Sequence, residues 1–240
     1  MILLYHKVSL SCKSIWYVTK DRFYKQMSDL RKMGKVVVSL DKYNPENPNH
    51  VCITFDGGYD EMYDVAVPIL KEFGYEYDIF IIGNYVGKDN RFDVNQPLEN
   101  FLSIEHLKDM VARGGAHLQW HTNSHRRLGP KVSMEEWIEE LTIPTWIRQL
   151  DPTGFKFFAY PYGGNAPWQY DEVRKRFDGA LFVRGGSDFD KYRLNRVVIY
   201  DATDMKVVFA GRMMKFLRRL RNCVKNHQVL AAIKRRVMFK

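Results

Sequence analysis

The stretch Val51-Cys52-Ile53-Thr54-Phe55-Asp56-Gly57-Gly58-Tyr59-Asp60 decides how this chain is read. Its first half is a short apolar run with β-branched side chains, the pattern of a strand buried in a parallel sheet. Asp-Gly-Gly then ends the strand and leaves a carboxylate at its C-terminal tip. Over residues 60–73 the period turns helical, with Met62, Val65, Ile69, Leu70 and Phe73 falling largely on one stripe. α/β proteins place their chemistry at the C-terminal ends of parallel strands, which makes Asp56 a candidate functional group. The plainer role for a lone Asp-Gly-Gly carboxylate is to cap the following helix.

The same alternation continues on both sides. Strands are predicted over 2–5, 36–38, 77–82, 116–120, 155–160, 179–183 and 196–200, and helices over 21–32, 103–110 and 169–177. Ser133 with Glu136 is the signature of a capping box, and Pro144 must end or interrupt the helix that it opens. Residues 83–100 form a polar loop too long to be a plain connector, which suits a substrate-side excursion. Alternating strands and helices imply a mostly parallel sheet with helices packed outside. The fold expected is a distorted (β/α) barrel of seven or eight strands. A doubly wound open sheet is the runner-up, weakened by the lack of a Gly-x-Gly-x-x-Gly after the first strand.

The 240 residues are 45% apolar and 14% aromatic, enough for a sizeable core. The net charge of +9 resembles a nucleic-acid signal until it is located. Residues 205–240 hold eleven Lys/Arg and no Asp/Glu, while 1–204 hold 26 basic against 28 acidic residues. A nearly neutral body, 1–204, is thus expected to carry a basic amphipathic extension, 205–240. Cys12, Cys52 and Cys223 are far apart and odd in number, the usage of reduced thiols rather than of a disulfide frame. Met1 to His6 is too short for a signal peptide and lacks a basic region, and no apolar run reaches membrane-spanning length. A cytoplasmic location is the expectation.

Three predicted strand ends carry chemistry: Asp56, His121-Thr122-Asn123-Ser124-His125, and Tyr160-Pro161-Tyr162. His-x-x-x-His spacing lets two imidazoles meet one metal ion, and a neighbouring strand-end carboxylate would complete an open, catalytic type of site. Each motif alone is weak; the three together are not.

These segments resemble the polysaccharide deacetylases, the NodB-homology carbohydrate esterases. Thr54-Phe55-Asp56-Gly57-Gly58 is similar to their Thr-Phe-Asp-Asp-Gly, His121 to His125 matches His-Ser/Thr-x-x-His, and Ala159-Tyr160-Pro161-Tyr162 looks like their Arg-x-Pro-Tyr. The opening Leu4-Tyr5-His6 resembles the circularly permuted branch. The resemblance covers roughly residues 1–200. It implies metal-dependent hydrolysis of an N-acyl group, acetyl or formyl, on an amino sugar of an envelope or lipid-linked glycan. A divalent metal, zinc foremost with cobalt, nickel or manganese as alternatives, would sit on His121, His125 and Asp56. Asp56 would serve as base, His6 as acid, and the backbone N–H near Tyr162 as oxyanion donor. Tyr160, Trp168 and Arg193 would bind sugar, and His117 is a lesser candidate for the pocket wall.

One departure weighs against turnover. Where the family has a second, metal-binding Asp, this chain has Gly57, and the Arg of the third motif is missing. Asp60 reaching back from the first helical turn is one remedy; simple helix N-terminal charge is the more ordinary role for it. A domain that binds glycan without hydrolysing it is the alternative.

In the extension, residues 212–221 place apolar Phe216, Leu217 and Leu220 among basic residues at helical spacing, and 229–238 repeat the character. An anionic membrane surface is the expected partner, as for a cytoplasmic enzyme peripheral to the inner membrane. A solvated terminal helix is the plainer alternative. A glycosyltransferase working beside this chain is an open expectation. Nucleic acid is disfavoured because the charge is confined to the tail and no recognised motif accompanies it.

Overall fold

The structure, a computed structural model, describes residues 1–163, 167–183, 185–187 and 189–211, without the side chains of Pro167 and Trp168. In chain order it contains β1 (Ile2–Tyr5), β2 (Lys7–Ser9), β3 (Tyr17–Thr19), α1 (Lys20–Lys32), β4 (Val36–Val37), β5 (His50–Gly57) and α2 (Glu61–Phe73). There follow β6 (Tyr77–Ile81), α3 (Ile104–Ala112), β7 (Ala116–Trp120), α4 (Met134–Leu141), α5 (Thr145–Arg148), β8 (Phe157–Ala159), α6 (Pro167–Arg176), β9 (Gly179–Phe182) and β10 (Leu194–Val198).

Seven parallel strands pair in the order β1-β10-β9-β8-β7-β6-β5, and β5 pairs back onto β1. The sheet is therefore a closed barrel, which disposes of the open doubly wound alternative. β4 is an extra strand on the same edge of β5. It pairs at Val36↔His50 and Val37↔Val51, and β1 takes over from Ile2↔Cys52 to Tyr5↔Phe55. Closure leaves one inward and one outward set of side chains on every strand.

The inward set begins with an apolar cluster: Ile2, Cys52, Phe80, Ala159, Leu181 and Leu194, joined by Leu40 from the segment after β4. Cys52 is a buried free thiol in this cluster. Buried polar groups stand among them. Gln119 Nε2 donates to Asp78 Oδ1 at 2.8 Å, the Leu40 N–H donates to Asp78 Oδ2 at 2.9 Å, and Gln119 Oε1 accepts from the Phe157 N–H at 2.8 Å. The outward set packs under helices; Tyr5, Phe23 and Phe55 meet at ring separations of 5.2 to 6.1 Å between β1, β5 and α1. Each such side chain removed from water contributes roughly 1.5–3 kcal/mol.

Local signals place the helices. Ser103 Oγ accepts from the His106 N–H and caps α3; Ser133 and Glu136 form the reciprocal capping box of α4. α4 ends before Pro144, and α5 begins just after it. Gly74, at φ 67°, ends α2 in the left-handed conformation that a Cβ disfavours. Two departures from the sequence expectation matter. Phe155 adopts φ 57°, so β8 starts two residues later than its aromatic run suggests. β2 and β3 form a separate parallel two-stranded ladder where the sequence pattern predicts no element.

The barrel belongs to one compact unit, Met1–Ala202. A second unit starts at Thr203, where Asp204 Oδ1 accepts from the Lys206 N–H and residues 205–211 turn helical. The basic segments at 212–221 and 229–238, together with Cys223, lie outside the described residues. No described helix is long and apolar enough to cross a membrane.

Candidate active site

β5 carries alternating side chains to its tip, so Cys52, Thr54 and Asp56 share the inward face and Asp56 stands highest. Arg196 on β10 is level with Cys52 through the register of β1. Its side chain runs up the barrel interior past Thr54, whose Oγ1 lies 3.5 Å from Nη1, and grips Asp56 with two bonds. Nη1 donates to Oδ1 at 2.5 Å and Nη2 to Oδ2 at 2.6 Å. Both side chains are almost fully buried. Burial alone would push the Asp56 carboxyl up, but Arg196, with help from His121 and His6, more than offsets this and holds it at about 2. Asp56 is therefore ionised across the neutral range.

His121 follows β7 directly and is buried to 3% exposure. Its Nδ1 lies 2.7 Å from the Ala159 carbonyl, which can only accept, so Nδ1 carries the proton and Nε2 presents its lone pair. That Nε2 is 3.8 Å from Asp56 Oδ2. His125 stands one turn further on, with its ring 4.8 Å from that of His121 and 5.0 Å from Tyr162. Its Nδ1 is buried without a hydrogen-bond partner. Burial lowers both imidazoles, His125 to about 3, and keeps them neutral. His6, just past β1, rests on Trp16 at 4.7 Å and is lowered to about 4 by burial.

The backbone is bent to reach this arrangement. Thr122, His125 and Tyr162 adopt φ of 71°, 54° and 57°, a left-handed conformation that costs non-glycine residues energy and clusters at functional sites. Thr122 Oγ1 accepts from the His125 N–H at 2.9 Å and holds the turn. At Gly57, φ is 95°, and an added Cβ would lie 2.8 Å from the Tyr59 ring. A side chain at position 57 would therefore meet the Tyr59 ring.

These groups open into a cavity of about 680 Å³ whose walls include His6, Asp56, His121, His125 and Tyr162. Two neutral imidazoles with an orphaned buried nitrogen fit a divalent ion held by His121 and His125, with Asp56 beside it. Among the described residues no three His, Cys, Asp or Glu side chains converge as a complete ligand group.

The remaining sequence candidates are distributed as follows. Tyr160 lies against the cavity but is 1% exposed, its ring packed on Phe158 and Phe182. Trp168 lies in α6, and its side chain is outside the described residues. Arg193, expected to bind sugar, does not line the cavity. It precedes β10 on the opposite parity from Arg196, where it donates to the Gly185 carbonyl at 2.7 Å beside Tyr170 and Phe182. Asp60 does not reach back to the site; its Oδ1 is 2.6 Å from His106 Nδ1. His117 is half-buried and does not line the cavity. The sequence reading missed Lys7, Trp16 and Phe92 as cavity residues. The first two come with the unexpected ladder and the third from the 83–100 loop.

A sequence profile described as polysaccharide deacetylase matches residues 43–176. The chain belongs to the polysaccharide deacetylase family. YxkH of Bacillus subtilis (strain 168), named for the same family, is 32% identical over 169 residues, covering 68% of this chain and 56% of that protein. This deacetylase-family chain thus matches little more than half of that relative's length. Among solved structures, the BA0330 protein of Bacillus anthracis superposes with a TM-score of 0.70 at 21% identity, over 88% of this chain and 67% of that one. Streptococcus pyogenes deacetylase PplD, solved with acetate, gives 0.70 at 20% identity, over 84% and 92%. At such identities the superpositions speak for the fold, a NodB-like barrel of seven closed strands with one added.

Proposed function

We propose that this chain hydrolyses an N-acyl group, acetyl or formyl, from an amino sugar of a cell-envelope or lipid-linked glycan. The observation that carries this reading is the Asp56 carboxylate, clamped by Arg196 and aimed at two neutral imidazoles in an open cavity. His121 and His125 would hold a divalent ion, zinc foremost, whose chemistry is to acidify a water and to accept negative charge from the acyl oxygen. Asp56 takes the proton from the attacking water, and Arg196 fixes the orientation in which it does so. The hydroxyl adds to the acyl carbon, the carbon–nitrogen bond breaks, and the nitrogen leaves as the amine. His6, neutral in the resting site, relays to that nitrogen the proton that Asp56 has accepted. The Tyr162 N–H, on its left-handed backbone, is the donor for the acyl oxygen. Trp16 and Tyr162 offer aromatic faces to the sugar.

Tyr5 at the end of β1, with His6 just past it beside β5, supports the circularly permuted branch. The basic, amphipathic pattern of residues 205–240 supports docking on an anionic membrane surface from the cytoplasmic side.

Gly57 favours a second reading, glycan binding without turnover, because the third ligand is absent and a side chain there would meet the Tyr59 ring. Elemental analysis of the purified chain and of His121→Ala, together with acetate release from chitooligosaccharides, separates the two. Near-stoichiometric metal lost in the variant and acetate released by the wild type are expected. No metal after soaking in zinc, cobalt or nickel, and no acetate, would overturn the hydrolase reading.

A further inference from the structure

We infer that Lys7 makes this cavity selective for a glycan bearing an anionic substituent, a carboxylate or a phosphate, near the sugar that is deacylated. The inference rests on the reading that the cavity takes a glycan.

Lys7 opens β2, held by its N–H to the Trp16 carbonyl at 3.2 Å and by the ladder that pairs it with Tyr17. The side chain is 4% exposed, yet it lines the cavity. Its Nζ stands 4.3 Å over the Tyr59 ring and 4.8 Å over the Tyr17 ring. Two aromatic faces keep an ammonium in place without neutralising it. Among the described residues the ammonium makes one hydrogen bond, a 3.4 Å contact to Tyr17 Oη, although it has three donors. A buried charge with uncommitted donors is costly unless something completes it.

The nearby carboxylates do not do so. Glu99 is bonded by Lys13 at 2.6 Å and by the Tyr17 hydroxyl at 2.8 Å, and makes no ion pair with Lys7. Glu99 and, more weakly, Asp93, which lines the same cavity, act on Lys7 through space without bonding it. Asp56 is already neutralised by Arg196. Arg127, over the Tyr162 ring at 4.5 Å, lines the same cavity. Among the described residues, two cations, Lys7 and Arg127, therefore face one carboxylate not paired with a cation, Asp93, around the space that a glycan would fill. Tyr59 also abuts Gly57, so the ammonium is held at the very edge of the hydrolytic centre.

Titration calorimetry on the full chain tests this with matched probes. A hyaluronan tetrasaccharide is compared with chitotetraose, and N-acetylglucosamine 1-phosphate with N-acetylglucosamine. At low salt at least one acidic probe should bind about tenfold tighter than its neutral match, the scale of a hydrogen bond to a charged group. Which pair shows the gap tells carboxylate from phosphate. Lys7→Met should abolish the gap and leave chitotetraose affinity within about twofold, while Lys7→Arg should keep it. Equal or tighter binding of both neutral probes, no binding of any probe, or an equal loss for acidic and neutral probes in Lys7→Met would overturn the inference. Should Lys7→Met not fold, the wild-type comparison decides alone. Acidic preference without acetate release would sink the deacetylase reading and leave this one standing; release from chitotetraose without the preference would do the reverse.

Discussion

Replacing Arg196 with Met tests the centre of the structure directly. The substitution keeps a chain of similar girth in the barrel but strands the Asp56 carboxylate, which is buried and doubly bonded to the guanidinium. Breaking a buried pair by removing one partner costs about 3–5 kcal/mol, because the remaining charge is left uncompensated. The titration of Asp56 gives an independent scale. A carboxyl held at about 2, against 3.8 ordinarily, corresponds to roughly 2–3 kcal/mol of stability above pH 4, lost as pH falls through 2. Without Arg196, burial dominates and the carboxyl rises above its unfolded value. The sign then reverses, and stability declines as pH rises past 4. Guanidinium denaturation at pH 5 and pH 8 should therefore show Arg196→Met weaker by about 3 kcal/mol or more, with the larger loss at pH 8. In an Asp56→Asn background the same change should cost at least about 2 kcal/mol less. A loss under about 1 kcal/mol, or one that Asp56→Asn does not diminish, would refute the buried clamp.

Four further outcomes follow from particular contacts. Gly57→Asp should destabilise the fold by about 1–3 kcal/mol, given φ of 95° and the 2.8 Å approach to Tyr59. Gly57→Asp with Tyr59→Ala should bind zinc more tightly than the wild type, read by competition with a chelating dye. Burial pushes Asp78 up to about 7 despite its bonds from Leu40 and Gln119, so its share of stability is present near pH 4 and lost as pH rises towards 7. Denaturation at pH 5 and 7.5 should show a less favourable trend with pH for the wild type than for Asp78→Asn; equal slopes would refute the shift. His125→Ala, like His121→Ala, should lose bound metal in elemental analysis while its melting temperature stays within a few degrees.

What the sequence could and could not show follows from how far each signal reaches along the chain. Asp56, His121 and Tyr162 were legible because each sits where an apolar run stops, and a stop at a strand end is a local event. Barrel closure was legible only as a count of strands, since the pairing of β5 with β1 joins residues 50 apart. Arg196 shows the limit most clearly. The Arg193-Leu194-Asn195-Arg196 run offers two arginines, and only parity tells them apart. Leu194 belongs to the barrel interior, so Arg196, two residues on, shares its face and Arg193 does not. That argument needs the inward residue to be known first. The third motif has no arginine, and the Asp56 carboxylate is met from a different strand instead, by the Arg196 side chain that climbs past Thr54. Lys7 and Trp16 were invisible for a different reason: the β2–β3 ladder has three residues in each strand, too few for any periodicity to register. The side chains at a strand tip can be read from a dozen residues, whereas the cavity walls that Lys7 and Trp16 supply are built from segments whose order is imposed by the barrel they lean on.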